Sequence, residues 1–227
     1  MADIEWPKGL MPYKTMFYLQ PHIGGQESPI TRTRKVYGLS APRWIARLTF
    51  RAGHGYDDLG IGVGPSGDDP IFWAARLDAL IAELQGGLNC VRFHDFRRPM
   101  PQSYLTNYAP PLAIVGGAAD GATTINVQRG YGNIGPSVGD YIGGDGRPHI
   151  VTRSTPQAGS MMSVAPESGV ISLQFQPPLS SAIAAGSALE TGPVTARFRL
   201  ISEDAGQNEG EVGAPIEYVL DFTEELN

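Results

Sequence analysis

The segment RWIARLTFR, residues 43–51, decides the fold, because its side chains alternate between apolar and polar at every step. In an extended strand, successive side chains point to opposite faces. One face of this segment is apolar: Trp44, Ala46, Leu48 and Phe50. The other face carries the arginines: Arg43, Arg47 and Arg51. We therefore predict a half-buried strand with a basic exposed face.

A second alternating segment, IEYVLDF at residues 216–222, has the opposite charge. Its polar face holds Glu217 and Asp221. More broadly, every charged residue of 30–52 is basic and every charged residue of 200–227 is acidic. Opposed charged surfaces suit mutual pairing, either within one subunit or between neighbouring copies. Two independently solvated faces are the remaining alternative.

Residues 70–85 are predicted to form a helix, because apolar residues recur there at spacings of three and four. They are Ile71, Trp73, Leu77, Leu80, Ile81 and Leu84. Asp69 stands at the N-cap position and Pro70 at the first helical position, and Gly86-Gly87 follows as a stop.

Most of the remaining chain is predicted to form short strands joined by turns, since the full sequence contains 29 glycines and 19 prolines spread between apolar runs. Two strands are predicted at residues 90–96 and 194–201. Six shorter ones lie between them, at 123–127, 140–142, 149–153, 161–164, 171–175 and 188–190. We predict a mainly β chain in which residues 1–111 plus 191–227 form a body domain. Residues 112–190 form an inserted small barrel or sandwich.

The chain is long enough, at 227 residues, to bury a core without disulfides or metals. Cys90 lies in an apolar run and is expected to be a small buried side chain. The N-terminus has no basic stretch followed by an apolar run, and no window approaches about 18 uninterrupted apolar residues. We expect a soluble protein made in a cytoplasm, with no membrane partner.

Enzymatic, cofactor and metal sites are not expected. The motif GVGPSG at residues 62–67 matches GxGxxG, but Asp68 and Asp69 would place two negative charges where a pyrophosphate must bind. The four histidines have no metal-ligand spacing. His94 and Asp95 are adjacent and would point to opposite faces of a strand. The basic face of residues 43–51 lacks interleaved aromatic side chains, so specific nucleic-acid binding is not expected either.

The order of these pieces resembles the distal tail protein of long-tailed bacteriophages and related prophage minor tail proteins. The matching first-half segments are residues 42–50, 73–87 and 91–99. The matching second-half segments are residues 121–127, 138–142, 148–152, 175–179 and 196–200. The similarity covers nearly the whole chain from Arg43 to Phe222. The glycine-rich stretch at residues 53–67 departs from the family pattern, being longer than the connection expected before the helix.

The resemblance implies a β-sandwich body domain that assembles as a hexameric ring at the end of the tail tube, in the virion. It implies an inserted barrel of the oligosaccharide/oligonucleotide-binding (OB) type that projects outward. Tail tube subunits and tail-tip hub or fibre proteins would be the partners, and the protein would be made in the host bacterial cytoplasm. Recognition of a host-surface glycan by the inserted barrel is the alternative function. The candidate subunit-interface residues, for which we favour ion pairs between subunits, are Arg43, Arg47, Arg51, Arg97, Arg98, Glu217 and Asp221.

Overall fold

A computed structural model of the protein describes residues 2–52, 73–100, 112–128, 135–155, 169–207 and 216–226. Four features of the sequence analysis lie outside these ranges. They are the glycine-rich stretch 53–67, the helix start at Asp69 and Pro70, the strand predicted at 161–164 and the GxGxxG motif.

Twelve strands and one α-helix are formed by the described residues. The strands before and just after the helix are β1 (Asp3–Glu5), β2 (Lys14–Glu27), β3 (Arg34–Ala52) and β4 (Cys90–Phe93). The helix is α1 (Trp73–Leu84). The middle strands are β5 (Leu112–Val115), β6 (Thr124–Gln128), β7 (Tyr141–Ile142), β8 (His149–Thr155), β9 (Val170–Gln176) and β10 (Ala188–Leu189). The last two are β11 (Ala196–Leu200) and β12 (Ile216–Glu224).

The strands form two six-stranded sheets, a half-barrel and a nearly closed barrel, so the prediction of a mainly β chain with one helix is confirmed. The half-barrel has the order β1-β4-β11-β12-β3-β2. The body domain was expected to be a sandwich of two facing sheets. The structure shows a six-stranded half-barrel.

Strands β3 and β12 lie side by side and antiparallel in this sheet, with Leu48 opposite Leu220 and Phe50 opposite Tyr218. These four side chains are buried, as are Trp44, Ala46 and Phe222. The alternation that predicted both strands therefore assigns their apolar faces correctly. The core continues through a cluster of rings, in which Phe93 stacks on Phe198 with 4.1 Å between the ring centroids.

Helix α1 buries Leu77, Leu80 and Leu84, which are members of the predicted apolar stripe. It runs into a single 3-10 turn, Gln85–Gly87, whose two glycines have positive φ values of 61° and 90°. A Cβ atom at Gly87 would collide with the carbonyl oxygen of Leu200. The predicted stop at Gly86-Gly87 is thus confirmed, and Gly87 is required both by its backbone conformation and by its close approach to β11.

The second sheet has the order β10-β5-β6-β9-β8-β7, and one bridge joins its two ends. In that bridge the amide of Gly143 donates to the carbonyl of Glu190 at 2.9 Å, and the amide of Glu190 donates back at 3.2 Å. The interior is apolar and includes Ile125, Val127, Leu173 and Phe175. With six strands, this barrel has one more than the five of an OB-fold.

Contacts between Cα atoms divide the chain into two compact units. Unit 1 contains residues 1–18, 44–97 and 197–225. Unit 2 contains residues 19–43, 98–196 and 226–227. Unit 2 therefore includes the outer part of the β2–β3 hairpin in addition to the segment that was predicted as an insert.

Candidate assembly surface

A ladder of opposite charges crosses the exposed side of strands β3 and β12. Arg47 lies directly opposite Asp221 in the register. Its Nε donates to Oδ1 at 2.6 Å and its Nη2 donates to Oδ2 at 3.0 Å. This is the bidentate geometry in which a guanidinium binds a carboxylate most strongly. The hydrogen bond and charge of Asp221 raise the pKa of Arg47 further.

The next rung pairs Arg51 with Glu217, with 4.0 Å between Nε and Oε2. Tyr13 joins this rung, since its hydroxyl donates to Oε2 of Glu217 at 2.9 Å and its ring lies 5.0 Å from the guanidinium carbon of Arg51. The hydrogen bond to Glu217 raises the pKa of Tyr13. Tyr13 has no local signal in the sequence, because no periodic pattern surrounds it.

The basic and acidic strands therefore pair within one chain. This is one of the two pairings that the sequence left open. An interface role for these residues stays a prediction. All but Asp221 have side chains at least half exposed, so the rungs remain accessible to a further partner.

Arg97 forms its hydrogen bonds within the chain. It binds both carboxylate oxygens of buried Asp95, with Nε–Oδ1 at 2.9 Å and Nη2–Oδ2 at 2.8 Å, and Nη2 also donates to the carbonyl of Phe17. These bonds hold the end of β4 against β2. His94 does not pair with Asp95; its ring packs on Phe96, and burial lowers its pKa although Asp95 opposes this.

The two remaining candidate residues lie in unit 2. Arg98 donates from Nη1 to the carbonyl of Gly139 at 3.2 Å. Arg43 is exposed and lines a shallow depression of about 380 Å³ beside His22 and Ser40, whose Nδ1 and Oγ atoms are 2.7 Å apart. The structure thus does not gather the seven predicted residues into one site.

Two further charged groups were missed by the sequence analysis. Asp3 on the edge strand β1 pairs with Arg197 at 2.6 Å and with Arg92 at 3.3 Å. Glu224 is buried and accepts the backbone N–H of Trp44 at 2.9 Å. Neither has a local signal in the sequence, because the partners of each lie about 90 to 190 residues away along the chain.

The most concentrated polar cluster lies in the barrel, around Asp145. Its Oδ1 is 2.8 Å from Nε2 of His149. Its Oδ2 accepts both the backbone N–H and the hydroxyl of Ser180, at 2.7 and 2.9 Å. The other ring nitrogen of His149, Nδ1, lies 2.7 Å from the carbonyl oxygen of Pro177. Asp145 and His149 side chains are almost completely buried.

Both ring nitrogens of His149 therefore lie within hydrogen-bond distance of an oxygen atom, Oδ1 of Asp145 on one side and the carbonyl oxygen of Pro177 on the other. Asp145 and His149 form a buried salt bridge with additional hydrogen bonds. It contains serine, histidine and aspartate but differs from a catalytic triad, because the Ser180 hydroxyl donates to the carboxylate and does not contact the ring. The arrangement ties the Asp145 turn to β8 and to the segment after β9, which makes it structural.

The stability of unit 2 is expected to fall in acid through Asp145. Burial alone would raise the pKa of Asp145, but the hydrogen bond and charge of His149, together with the two Ser180 donors, lower it to about 2. The pKa of Asp145 is lower in the folded protein than in the unfolded chain, where it is about 3.9, so the ionised carboxylate stabilises the fold above that pH. This stabilisation is lost as the pH falls towards 2. The ionised Asp145 carboxylate contributes about 2 kcal/mol to the free energy of unfolding.

Urea unfolding of the wild type and of Asp145→Asn, at intervals from pH 6 to pH 2, measures this contribution. The wild type should be more stable at pH 5, and the difference between the two proteins should shrink by about 2 kcal/mol at pH 2. A difference that is constant with pH would contradict the assignment.

Within the described ranges, no group of three or more His, Cys, Asp or Glu side chains is placed to hold a metal ion. Cys90 is buried, as predicted. No helix in the described part of the chain has the length and apolar character needed to cross a membrane. No protein-family model matches the chain, and neither does any curated protein. The resemblance to distal tail proteins therefore stays a prediction.

Proposed function

We propose that the protein is a structural subunit of a bacteriophage tail, which forms a hexameric ring at the distal end. In this role it joins the tail tube on one side to tail-tip hub or fibre proteins on the other. The order of its sequence segments resembles that of distal tail proteins, and the mainly β architecture agrees with this resemblance.

The observation that carries the proposal is the open half-barrel. Among the described strands, β1 and β2 are its two edges, and β2 is 14 residues long with most of its side chains exposed. An edge strand presents unpaired backbone N–H and C=O groups, which makes it a template for pairing with another chain. A sheet that is open at two different edges suits head-to-tail association, and such association produces a closed ring when the rotation between copies closes.

Mass photometry of the purified full-length chain and electron microscopy of particles test the proposal. We expect a closed ring of about 146 kDa, six times the 24.3 kDa of one chain. Antibody labelling should place it at the end of the tail that is distal to the capsid. A protein that is monomeric at all concentrations and absent from particles would exclude this function.

Glycan recognition by unit 2 is the second candidate. A depression of about 540 Å³ in this unit is lined by polar side chains that include Asp120, Gln176 and Ser180. Hydrogen-bonding groups of this kind suit a sugar, but the described lining residues include no aromatic ring to stack on it, and Tyr141 is buried. Binding of the full chain to a glycan array, lost in Gln176→Ala, would favour this function over a purely structural one.

A further inference from the structure

The outer part of the β2–β3 hairpin, residues 19–43, exposes an unusual amount of apolar surface. Ile30, near the tip, is 91% exposed. Four more large apolar side chains on the two strands are over half exposed: Ile23, Val36, Tyr37 and Leu39. Because successive side chains of a strand point to opposite faces, Tyr37 and Leu39 lie on one face of the hairpin and Val36 lies on the other. An exposed apolar face of this kind marks a site of interaction with a partner.

The hairpin has a defined conformation, so this exposure does not come from an unformed segment. The amide of Ser28 donates to the carbonyl of Thr33 at 3.0 Å, which closes the tip. The ring of Tyr37 covers Gly24, where a Cβ atom would lie 2.7 Å from the ring. Two strands without a third are only marginally stable in water. A partner that covers the apolar side chains would therefore stabilise the hairpin.

The charge of the hairpin indicates what this partner is. Residues 19–43 contain four basic side chains and a single acidic one, Glu27, and their net charge is +3. The whole chain has a net charge of −6, which leaves −9 on all other residues. A second copy of this chain is therefore net acidic outside its own hairpin, and its charge is complementary to that of the hairpin.

A matching surface lies in unit 1 at the C-terminal end of α1. There the turn at Gly86 and Gly87 packs against residues 199–203, and both segments carry an exposed apolar side chain, Leu88 at 57% and Ile201 at 54%. The surrounding exposed carboxylates are Glu83, Glu203 and Asp204. Arg199 also lies here and donates to the carbonyl of Gly87, but it is paired with Glu225, so the exposed charge of this surface comes from the three carboxylates. We call this surface the helix-end patch.

We propose that the hairpin of one copy docks on the helix-end patch of a second copy. Tyr37 and Leu39, on one face of β3, cover Leu88 and Ile201, while Lys35 on the same face lies against Glu203 and Asp204. Arg34 beside it adds to the positive charge of the hairpin. Because the two surfaces are different, the contact is head-to-tail, and each copy has one of each surface to offer. This inference rests on the proposed ring and names one contact between its neighbouring copies, in addition to the open edges of the sheet.

Charge reversal on the full-length chain tests the contact. Arg34→Glu/Lys35→Glu and Glu203→Lys/Asp204→Lys should each raise the dissociation constant for assembly at least tenfold, measured by mass photometry over a concentration series. The protein that carries all four changes should recover to within about threefold of the wild type, because the charges are exchanged. Lys8→Glu/Arg153→Glu changes two exposed charges outside both surfaces and should leave assembly unchanged.

Crosslinking locates the contact independently of its strength. Ile30→p-benzoylphenylalanine is irradiated in a mixture of normal and ¹⁵N-labelled copies, both free in solution and in isolated particles. We expect crosslinks between light and heavy copies to residues 83–88 or 201–204. A ring that forms with crosslinks elsewhere, or that is insensitive to the charge reversals, overturns the docking contact and leaves the proposed function intact. Absence of any ring in solution and in particles overturns both.

Discussion

Asp145→Ala is expected to destabilise unit 2 by about 3–5 kcal/mol, because it removes one partner of a buried ion pair. Nε2 of His149 would lose its partner in the protein interior, and the ring would keep only the contact of Nδ1 with the carbonyl oxygen of Pro177. The backbone N–H and the hydroxyl of Ser180 would also lose their acceptor. Each buried donor without a partner has a desolvation cost of about 1–3 kcal/mol.

The distribution of tryptophans allows this effect to be assigned to one unit. Trp6, Trp44 and Trp73 are the three tryptophans of the chain, and all lie in unit 1. Unit 2 is followed instead by hydrogen exchange with mass spectrometry of peptides that cover β6, β8 and β9. We expect Asp145→Ala to lose protection in these strands, while tryptophan fluorescence reports unit 1 separately.

Two controls accompany this variant. Asp120→Ala removes an exposed carboxylate from the same unit and should change its stability by no more than about 0.5 kcal/mol. The double variant Asp145→Ala/His149→Ala should cost less than the sum of the two single variants, since the ion pair is lost only once. Two outcomes would show that the Asp145–His149 pair does not stabilise the barrel: additive losses of stability in the double variant, or hydrogen-exchange protection of Asp145→Ala equal to that of the wild type.

Phe93→Ala should destabilise unit 1 by about 3–5 kcal/mol, the range for the loss of a buried phenylalanine side chain. The ring of Phe93 is the centre of the aromatic core of the half-barrel. Its centroid lies 4.1 Å from that of Phe198 and 5.2 Å from those of both Trp6 and Phe222. Truncation leaves a cavity among rings that come from three different segments, which cannot all move together to fill it.

Urea unfolding followed by tryptophan fluorescence measures this loss, because Trp6 contacts the substituted ring directly. Val219→Ala is the matched control: it truncates an exposed side chain of β12 and should cost less than about 1 kcal/mol. Phe93→Leu keeps most of the volume and should be less destabilising than Phe93→Ala. Equal stability of Phe93→Ala and Val219→Ala would contradict the position of Phe93 in the core.

Local patterns predicted several elements well. The strand at residues 43–51 and the strand at 216–222 have regular apolar alternation, and both have the predicted buried face. The stripe of α1 and its glycine stop are equally local. These elements are predictable because burial of one face imposes a period of two or about 3.6 residues on the sequence.

Strand β2 was missed, and its sequence explains why. KTMFYLQPHIGGQE contains Pro21 and the pair Gly24-Gly25, and its outer half is exposed on both sides. A strand without a buried face has no alternation to detect. Pairing with β3 in the hairpin creates this strand, and the partner begins seven residues after β2 ends. The three-residue strand β1 was missed because its partner β4 lies almost 90 residues away.

The charges of residues 30–52 and 200–227 predicted that a basic strand and an acidic strand could pair. The sequence by itself determined the faces of the strands on which those charges lie. Only the tertiary structure decided that Arg47 meets Asp221 of the same chain, because strand order is a property of the whole sheet. The same holds for Asp145 and Ser180, whose separation of 35 residues is bridged by the barrel. Local sequence determines the periodicity of strands and helices and the position of turns. The packing of distant segments determines which polar groups form hydrogen bonds and ion pairs.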